Sequence, residues 1–519
     1  MIRLKSFLAG CAGAFIALGA AQAADLPVKA KPVQYVKICS LYGVGFYYIP
    51  GTDMCIKVGG YVREQSEWGS NSGQTPGSTN SAWGPNTIAN GAFDRGSSNF
   101  NFSTRAMLSV DARNQTEYGT VRGYIRLGMR LTDQTGGTFY FDRAVIQWAG
   151  FTVGRTLSFF DIFTNTEQYS YFDTKTSGDT VNNAVDVLAY TAQFGNGMSA
   201  SISAESPHYE AGVLNGEAGG FAVNGGTGTL AAGTAGRNMP DIVGQLRIDQ
   251  NWGYLGVSGA LHQVGGKYFA AASVPASGHP DDKLGWAAQI GGMLNLPWND
   301  TFGASFAATQ GAIGYITKAG SWQIANGSSV GVGWVADGIY DSIFPSGTTA
   351  NTPIQLTNAW NVNAGYEHFW NQRWRTSLYG GYTRIWYNET AKDIAAGHLP
   401  TPSAGGPACG FPVFGAVWPP VAVGSGANNS CSPNFSFYQI GTRTQWNVSK
   451  DFYLGVDVAY THLNTAYKGT TTNTNSPTVY AISGRNFTSV DDQNTWSGIF
   501  RAQYNFTAGN EGASYAFAR

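Results

Sequence analysis

Charge is scarce in this sequence. Only 12% of its 519 residues are Asp, Glu, Lys or Arg, about half the share of roughly 25% found in typical soluble domains. The charges that are present nearly cancel, because 31 basic residues stand against 32 acidic ones. A chain without a basic excess lacks the electrostatic footprint of a nucleic-acid-binding protein, so we expect no nucleic acid partner.

Long hydrophobic runs are also missing. Beyond residue 23 no apolar run reaches the roughly 18 residues that indicate a transmembrane helix. The one apolar stretch, from Phe7 to Ala20, follows Arg3 and Lys5 and precedes Ala21-Gln22-Ala23. This order is typical of a cleaved secretory signal peptide, and the stretch is too short for a membrane anchor of about 20 residues. We predict a signal peptide over residues 1–23.

Cysteine is rare, with five residues in the chain. Cys11 lies in the predicted signal peptide, which leaves Cys39, Cys55, Cys409 and Cys431. Four cysteines allow three connectivities, and their grouping into two sequence-local pairs favours Cys39 with Cys55 and Cys409 with Cys431. Neither the cysteines nor the six scattered histidines have the spacing of a metal site, so we expect no metal and no cofactor.

Glycine and aromatic residues are abundant instead. The chain has 69 glycines, nearly twice the usual share of about 7%, and 14% of its residues are aromatic. This composition suits a sheet with one face in outer-membrane lipid, aromatic girdles and wide polar loops. A secreted β-sandwich or β-helix shares part of it, so composition alone leaves these classes open.

Polar and apolar residues alternate along many segments, which indicates β-strands because successive side chains point to opposite faces. Near the end of the chain Trp496, Phe500 and Tyr504 share one face, whereas Arg501 and Gln503 share the other. The pattern predicts sixteen strands, at 55–66, 99–113, 118–131, 140–148, 151–156, 186–194, 197–205, 240–249, 252–263, 283–295, 301–314, 358–369, 373–387, 435–446, 451–464 and 494–506.

The connections between these strands alternate in length. Short turns such as 149–150 and 250–251 are followed mostly by long segments rich in Gly, Ser, Thr and Asn, such as 157–185 and 388–434. Short periplasmic turns alternating with long outer loops are the pattern of an outer-membrane barrel. We therefore predict an all-β fold, a transmembrane antiparallel β-barrel of about sixteen strands.

The predicted organisation has four parts. They are the signal peptide 1–23, a periplasmic-side N-terminal segment 24–54, a barrel over 55–506 with a constriction loop at 157–185, and a C-terminal tail 507–519. An alternative for the last part is that Tyr515 or Phe517 belongs to the closing strand.

Two blocks of the sequence are similar to a known family. The first runs from Tyr35-Val36-Lys37-Ile38-Cys39 through Tyr42-Gly43-Val44-Gly45-Phe46-Tyr47-Tyr48-Ile49-Pro50-Gly51-Thr52-Asp53 to Gly59-Gly60-Tyr61-Val62-Arg63, and the second is Phe141-Asp142-Arg143-Ala144-Val145-Ile146-Gln147-Trp148-Ala149-Gly150-Phe151-Thr152-Val153-Gly154-Arg155-Thr156. With these blocks the chain resembles the alphaproteobacterial porin family. The resemblance implies a homotrimer of sixteen-stranded barrels in the bacterial outer membrane. Such barrels pass ions and small hydrophilic solutes, and their third outer loop folds into the pore.

The charged residues are unevenly distributed along the predicted strands. If the polar faces point inward, one continuous basic wall is formed by Lys57, Arg63, Arg105, Arg113, Arg122, Arg126, Arg130, Arg143 and Arg501. The connector 157–185 carries Asp161, Glu167, Asp173 and Asp179. Folded inward, it would place carboxylates opposite arginines, and such charges bias ion passage. In a simpler reading the arginines pair with acids such as Asp111, Asp457 and Glu367 and only stiffen the wall.

Other functions have weaker support. Gly327-Ser328-Ser329-Val330-Gly331 matches G-x-S-x-G, but a nucleophile elbow needs a strand before it and a helix after it, and this match lies in a predicted loop. The sequence offers no grouped Ser, His and acid set, so we predict a passive diffusion channel and no enzyme. The alternative is a plugged barrel that serves as a structural protein or adhesin through its outer loops.

Overall fold

The computed structural model describes thirteen stretches of the chain. They are residues 37–69, 100–132, 137–172, 184–207, 213–215, 233–269, 275–317, 321–341, 351–397, 430, 432–470, 480–482 and 485–506. The predicted signal peptide 1–23, the predicted tail 507–519, Asp173, Asp179, Cys409 and Cys431 lie outside the described residues.

Sixteen long strands form the main sheet. In chain order they are β1 Cys55–Trp68, β2 Phe100–Thr116, β3 Gly119–Thr132, β4 Thr138–Trp148, β5 Phe151–Thr156, β6 Val185–Gly195, β7 Met198–Glu205, β8 Asp241–Gln250, β9 Gly253–Val264, β10 Lys283–Asn295, β11 Thr301–Gln310, β12 Asn358–Phe369, β13 Trp374–Trp386, β14 Phe435–Asn447, β15 Phe452–Asn464 and β16 Gln493–Asn505.

Each strand pairs antiparallel with the next one along the chain, and β16 pairs with β1 through Tyr61 opposite Asn505. The sheet is therefore a closed antiparallel barrel, and the predicted fold and strand number are confirmed. The predicted strand 301–314 was too long: β11 ends at Gln310, because Gly311 has a φ of 74° and turns the chain into a buried 3-10 helix at Ile313–Tyr315. Gln493–Asn505 is the strand that closes the barrel.

The apolar face of the strands points outward and the polar face inward. On β16, Trp496 of the outward face is 63% exposed, whereas Arg501 of the inward face is 1% exposed. The outward residues include Trp, Phe, Leu and Ile side chains on nearly every strand, as expected for strands that contact lipid. Among the described residues, no helix is long and apolar enough to cross a membrane.

The N-terminal segment forms a small disulfide-linked hairpin at one end of the barrel. Cys39 and Cys55 are bonded to each other, which confirms that predicted pair, and Tyr47–Tyr48 pairs with the start of β1. The guanidinium of Arg113 lies 4.9 Å from the ring centre of Phe46. Since Arg113 is on β2 beside β1, this contact holds the hairpin against these two strands.

Residues 321–341, which we call the second inserted segment, pack against the inside of the barrel near the opposite end. Its hairpin of Ser321–Asn326 and Ser329–Trp334 turns at Gly327 and packs on buried residues of β14 and β15. Trp322 stacks on Phe437 with ring centres 3.8 Å apart, and Leu463 belongs to the same core. These apolar contacts hold the hairpin against the inner wall.

The remaining described elements are short. They are 3-10 helices at Ser40–Tyr42 and Pro275–Ser277, an α-helix at Glu389–Gly397, and strands at Val213–Asn215, Gly338–Tyr340, Gln355–Leu356, Gly469–Thr470, Tyr480–Ile482, Arg485–Phe487 and Ser489–Val490.

Candidate functional site

The chain that follows β5 lies inside the barrel, and we call residues 157–172 the belt. It begins at the end of β7, where the Glu205 carboxylate accepts hydrogen bonds from the Ser158 hydroxyl at 2.6 Å and the Phe159 N–H at 2.9 Å. The belt then crosses β9, where the Ser258 hydroxyl donates to the Phe160 carbonyl at 2.6 Å. At β10 the Ile162 N–H donates to the side chain of Gln289 at 3.2 Å.

The belt continues around the inner wall to the closing strand. On β13 the Ser377 hydroxyl donates to the Tyr169 carbonyl at 2.7 Å. On β15 the Asp457 carboxylate accepts from the Tyr171 N–H at 2.6 Å. Several backbone polar groups of the belt are thus satisfied by side chains of the wall, as buried backbone groups require. These contacts position the belt along the inner wall from β7 to β15.

Aromatic rings of the belt occupy notches left by glycines of the wall. A Cβ atom at Gly303 on β11 would overlap the ring of Phe163, and one at Gly455 on β15 would overlap the ring of Tyr171. Only glycine permits such a close approach of a ring to the strand backbone. The wall therefore fits the belt in shape as well as in hydrogen bonding.

Glu167 attaches the belt to the basic wall. Its carboxylate contacts Arg63 of β1 at 3.1 Å and Arg501 of β16 at 3.2 Å. Burial raises the pKa of the Glu167 carboxyl, but the nearby guanidinium charges outweigh this effect and hold the pKa well below its usual range. Glu167 is thus an ionised anchor in direct contact with the wall.

Strand register places the arginines of the wall directly opposite one another. Arg63 of β1 is paired with Arg105 of β2, which is paired in turn with Arg130 of β3. Arg126 is likewise opposite Arg143. Like charges at directly opposite positions repel and destabilise a sheet, so this wall requires neutralising groups.

Asp142 is one of these groups, and the sequence pattern did not identify it. Its carboxylate lies 3.3 Å from both Arg126 and Arg143 and 3.8 Å from Arg105. The β3–β4 register shifts between Arg126 and Leu127, so that Asp142 and Arg143 are both buried although they are adjacent in sequence. The break in period-two alternation after the exposed Phe141 is the one sequence signal of this bulge.

The other basic residues have partners closer to the barrel ends. The Asp111 carboxylate contacts Arg113 at 2.9 Å and Arg122 at 2.8 Å. Glu67 lies 3.4 Å from Arg130. The ammonium group of Lys57 lies 5.9 Å from the ring centre of Phe46, beside the N-terminal hairpin.

The two described acids of the belt lie in different places. Glu167 contacts the basic wall, as described above. Asp161 is buried, and its carbonyl accepts from the Gln245 side chain of β8 at 3.3 Å, so the structure does not bring it to the arginines. Asp173 and Asp179 remain predictions, because they lie outside the described residues.

A buried group of acids on β7 and β8 was also missed from the sequence. Beside Glu205, Asp241 of β8 contacts His262 of β9 at 2.8 Å and accepts from the Tyr315 hydroxyl at 2.7 Å. His262 also lies 3.8 Å from Asp337 of the second inserted segment. Nothing in the local sequence indicates the contacts with Tyr315 and Asp337, which join residues far apart in the chain. In the described part of the chain, no group of three or more His, Cys, Asp or Glu residues is arranged to hold a metal ion.

The chain shares its sequence and fold with known porins. A family model described as the porin subfamily matches residues 25–499. The porin Omp2b of Brucella melitensis is 27% identical over 428 residues, which cover 77% of this chain and 98% of that protein. Omp2b of Brucella suis shows the same identity and coverage.

A solved structure agrees with this fold. It is the outer-membrane channel DcaP of Acinetobacter baumannii, which superposes with a TM-score of 0.51 at 13% identity and covers 88% of this chain and 99% of that one. At this identity the similarity concerns the fold alone. The closed barrel, the inserted belt and the match over residues 25–499 together lead to one conclusion: the chain belongs to the porin subfamily and is a channel of the bacterial outer membrane rather than an enzyme.

Proposed function

We propose that ions and small hydrophilic solutes diffuse through the space between the belt and the basic wall. The observation that supports this proposal is the path of the belt, residues 157–172, whose hydrogen bonds follow the inner surface from β7 to β15. A sixteen-stranded barrel is too wide for side chains alone to fill.

In this proposal the residues that line the passage are those of the predicted basic wall: Lys57, Arg63, Arg105, Arg122, Arg126, Arg130 and Arg501. The segment 157–185 narrows the passage, and its acids Asp161, Glu167, Asp173 and Asp179 contribute to the potential. Arg63 and Arg501 act mainly as anchors for the belt, since both are almost fully buried against Glu167.

We further propose that the protein assembles as a homotrimer in outer-membrane lipid and catalyses no reaction. The family membership supports the trimer. Purification in mild detergent tests it, because an SDS-resistant oligomer of three chains is expected and a monodisperse monomer would contradict it.

The experiment that tests the channel itself is single-channel recording in planar bilayers. Purified protein should produce uniform conductance steps that persist without added substrate. A plugged barrel with a structural or adhesive role would insert into the bilayer without steps. Assays for esterase and phospholipase activity should stay at background, and turnover above background would overturn the proposal that the barrel is not an enzyme.

A further inference from the structure

The outward face of the barrel carries few charges. Among the described residues of the sixteen strands, the charged side chains that point outward are Glu64, Arg155, Asp186 and Arg384. The Glu64 carboxylate accepts a hydrogen bond from the Thr104 hydroxyl at 2.5 Å, and Arg155 pairs with Asp186 at 3.8 Å. Arg384 of β13 is exposed and has no such partner in the described part of the chain. Because a charge on a lipid-facing surface is costly without a partner, Arg384 requires an anion from outside this chain.

Arg384 lies at the height where the apolar band of the wall ends. At the periplasmic end of the same strand, Trp374 stacks on Trp446 of β14 with ring centres 5.7 Å apart. Arg384 follows Trp374 by ten residues on this strand, which at about 3.4 Å per residue and a tilt of about 40° gives a height of about 26 Å. The apolar band of outer-membrane barrels is about 25 Å tall. Arg384 is therefore at the level of the lipid headgroups of the outer leaflet.

A row of outward-facing aromatic rings lies beside Arg384. Trp360 of β12, which is paired with Arg384 in the strand register, has its ring centre 5.2 Å from that of Tyr382. The row continues on β14 and β15, where the ring centres of Tyr438 and Tyr460 are 6.1 Å apart. Tryptophan and tyrosine are enriched where a membrane meets water. The row therefore marks the outer interface independently of the height of Arg384.

Two uncharged hydrogen-bond donors flank Arg384. Ser436 of β14 is paired directly with Arg384, and its hydroxyl oxygen accepts from the side chain of Asn464 at 2.9 Å. Asn358 of β12 is diagonal to Arg384, and its carbonyl oxygen accepts from the side chain of Gln310 at 3.1 Å. Among the described residues, neither the Ser436 hydroxyl nor the Asn358 amide donates a hydrogen bond from its side chain. The surface around Arg384 thus offers donors to an external acceptor.

We propose that Arg384, with Ser436 and Asn358 beside it, binds the phosphate group of an outer-leaflet lipid. A guanidinium presents paired N–H donors that match two oxygens of a phosphate. The lipid anchors its phosphate at the height of Arg384, and its acyl chains lie along the apolar band below the aromatic row. The site is on the outside of the barrel and goes beyond the proposed diffusion function.

The wild-type protein provides the first test. Native mass spectrometry counts the lipids that stay bound to the protein in a neutral detergent, and the probe is bisphosphorylated lipid A. This lipid should bind at concentrations where lipid A without its phosphates does not. Inorganic phosphate at the same concentration should not displace it, because the free ion lacks the contacts of the acyl chains with the wall. Displacement would show a site for the free ion and would overturn the lipid assignment.

Three variants test the assignment to Arg384. Arg384→Gln should raise the half-saturating concentration of bisphosphorylated lipid A about tenfold, the effect of losing one charged hydrogen-bonding group. Arg384→Lys keeps the charge but not the paired donors of the planar group, so its half-saturating concentration should lie between those of the wild type and Arg384→Gln. The matched control is Arg155→Gln, because Arg155 also faces outward near the outer end of its strand but already pairs with Asp186. This control should bind the lipid as the wild type does.

Three further results would overturn the site. The first is equal binding of the phosphorylated and the dephosphorylated lipid A by the wild type. The second is an Arg384→Gln protein that binds the phosphorylated lipid with the half-saturating concentration of the wild type. The third is an equal loss of binding in Arg384→Gln and Arg155→Gln, which would show attraction to any outward arginine. If Arg384→Gln fails to fold, the comparison of the two lipids on the wild type decides the question.

Discussion

The attachment of the belt to the wall through Glu167 can be tested by Glu167→Gln. The side chain of Glu167 is 10% exposed, and those of its partners Arg63 and Arg501 are 3% and 1% exposed. Removing one partner from a buried ion pair costs about 3–5 kcal/mol, because the remaining charge is left in a poorly solvated place. Arg63 keeps a hydrogen bond to Gln503, and Arg501 keeps one to the Tyr171 carbonyl. We therefore expect Glu167→Gln to lower the free energy of unfolding by about 3 kcal/mol, the lower end of that range.

The assay is equilibrium urea unfolding of the protein in phospholipid vesicles, followed by tryptophan fluorescence. Glu389→Gln is the matched control, since Glu389 is 86% exposed and pairs with Lys392 on the short surface helix. An exposed pair of this kind contributes about 0–1 kcal/mol. If the two variants lower the free energy of unfolding equally, the contact of Glu167 with the wall does not stabilise the protein and the reasoning is refuted.

The pH dependence provides a second check on Glu167. A carboxyl whose pKa is lowered in the folded protein contributes stability that is complete above its unfolded-state pKa of about 4.3 and is lost as the pH falls through the folded-state value. Because the guanidinium groups depress the pKa of Glu167, the stability difference between the wild type and Glu167→Gln should be equal at pH 7 and pH 5.5. It should shrink only below about pH 4. A difference that vanishes at pH 5.5 would contradict the depressed pKa.

Two further predictions concern the inserted segments. Gly455→Leu should push the ring of Tyr171 out of its notch and move the belt toward the pore axis. The single-channel conductance should therefore fall, and overpacking should lower the free energy of unfolding by about 1–3 kcal/mol. Gly244→Leu is its control, because nothing lies within 4 Å of a Cβ atom at that exposed position, and equal conductance of the two variants would argue against the notch. Asp337→Ala removes the carboxylate that accepts from the buried Ile313 N–H at 2.8 Å. Amide exchange in the second inserted segment should then become about tenfold faster, and unchanged exchange measured by mass spectrometry would show that this bond does not hold the segment.

The sequence predicts the strands of the barrel wall better than it predicts the segments inside the barrel. The sixteen strands could be predicted because alternation is local: a polar residue next to an apolar one, as at Gln503 and Tyr504, already shows which side faces inward. The Cys39–Cys55 disulfide could be predicted for a similar reason, since its two residues are close in the chain. Strand ends were less predictable, because the end of β11 depends on the turn at Gly311 and on what the following residues pack against.

The sequence by itself determined that this chain forms strands with one polar and one apolar face, enough of them to close a barrel, and a set of arginines on the polar face. Only the tertiary structure decided which arginines face each other, because register depends on pairing between strands, and a shift of one residue exchanges the two faces. The bulge that turns both Asp142 and Arg143 inward is such a shift. Tertiary structure also decided where the belt lies, since Glu167 meets Arg501 across 334 residues of sequence only when closure brings β16 beside β1. Contacts between residues so far apart in the chain leave no local sequence pattern, because only folding brings the two partners close together.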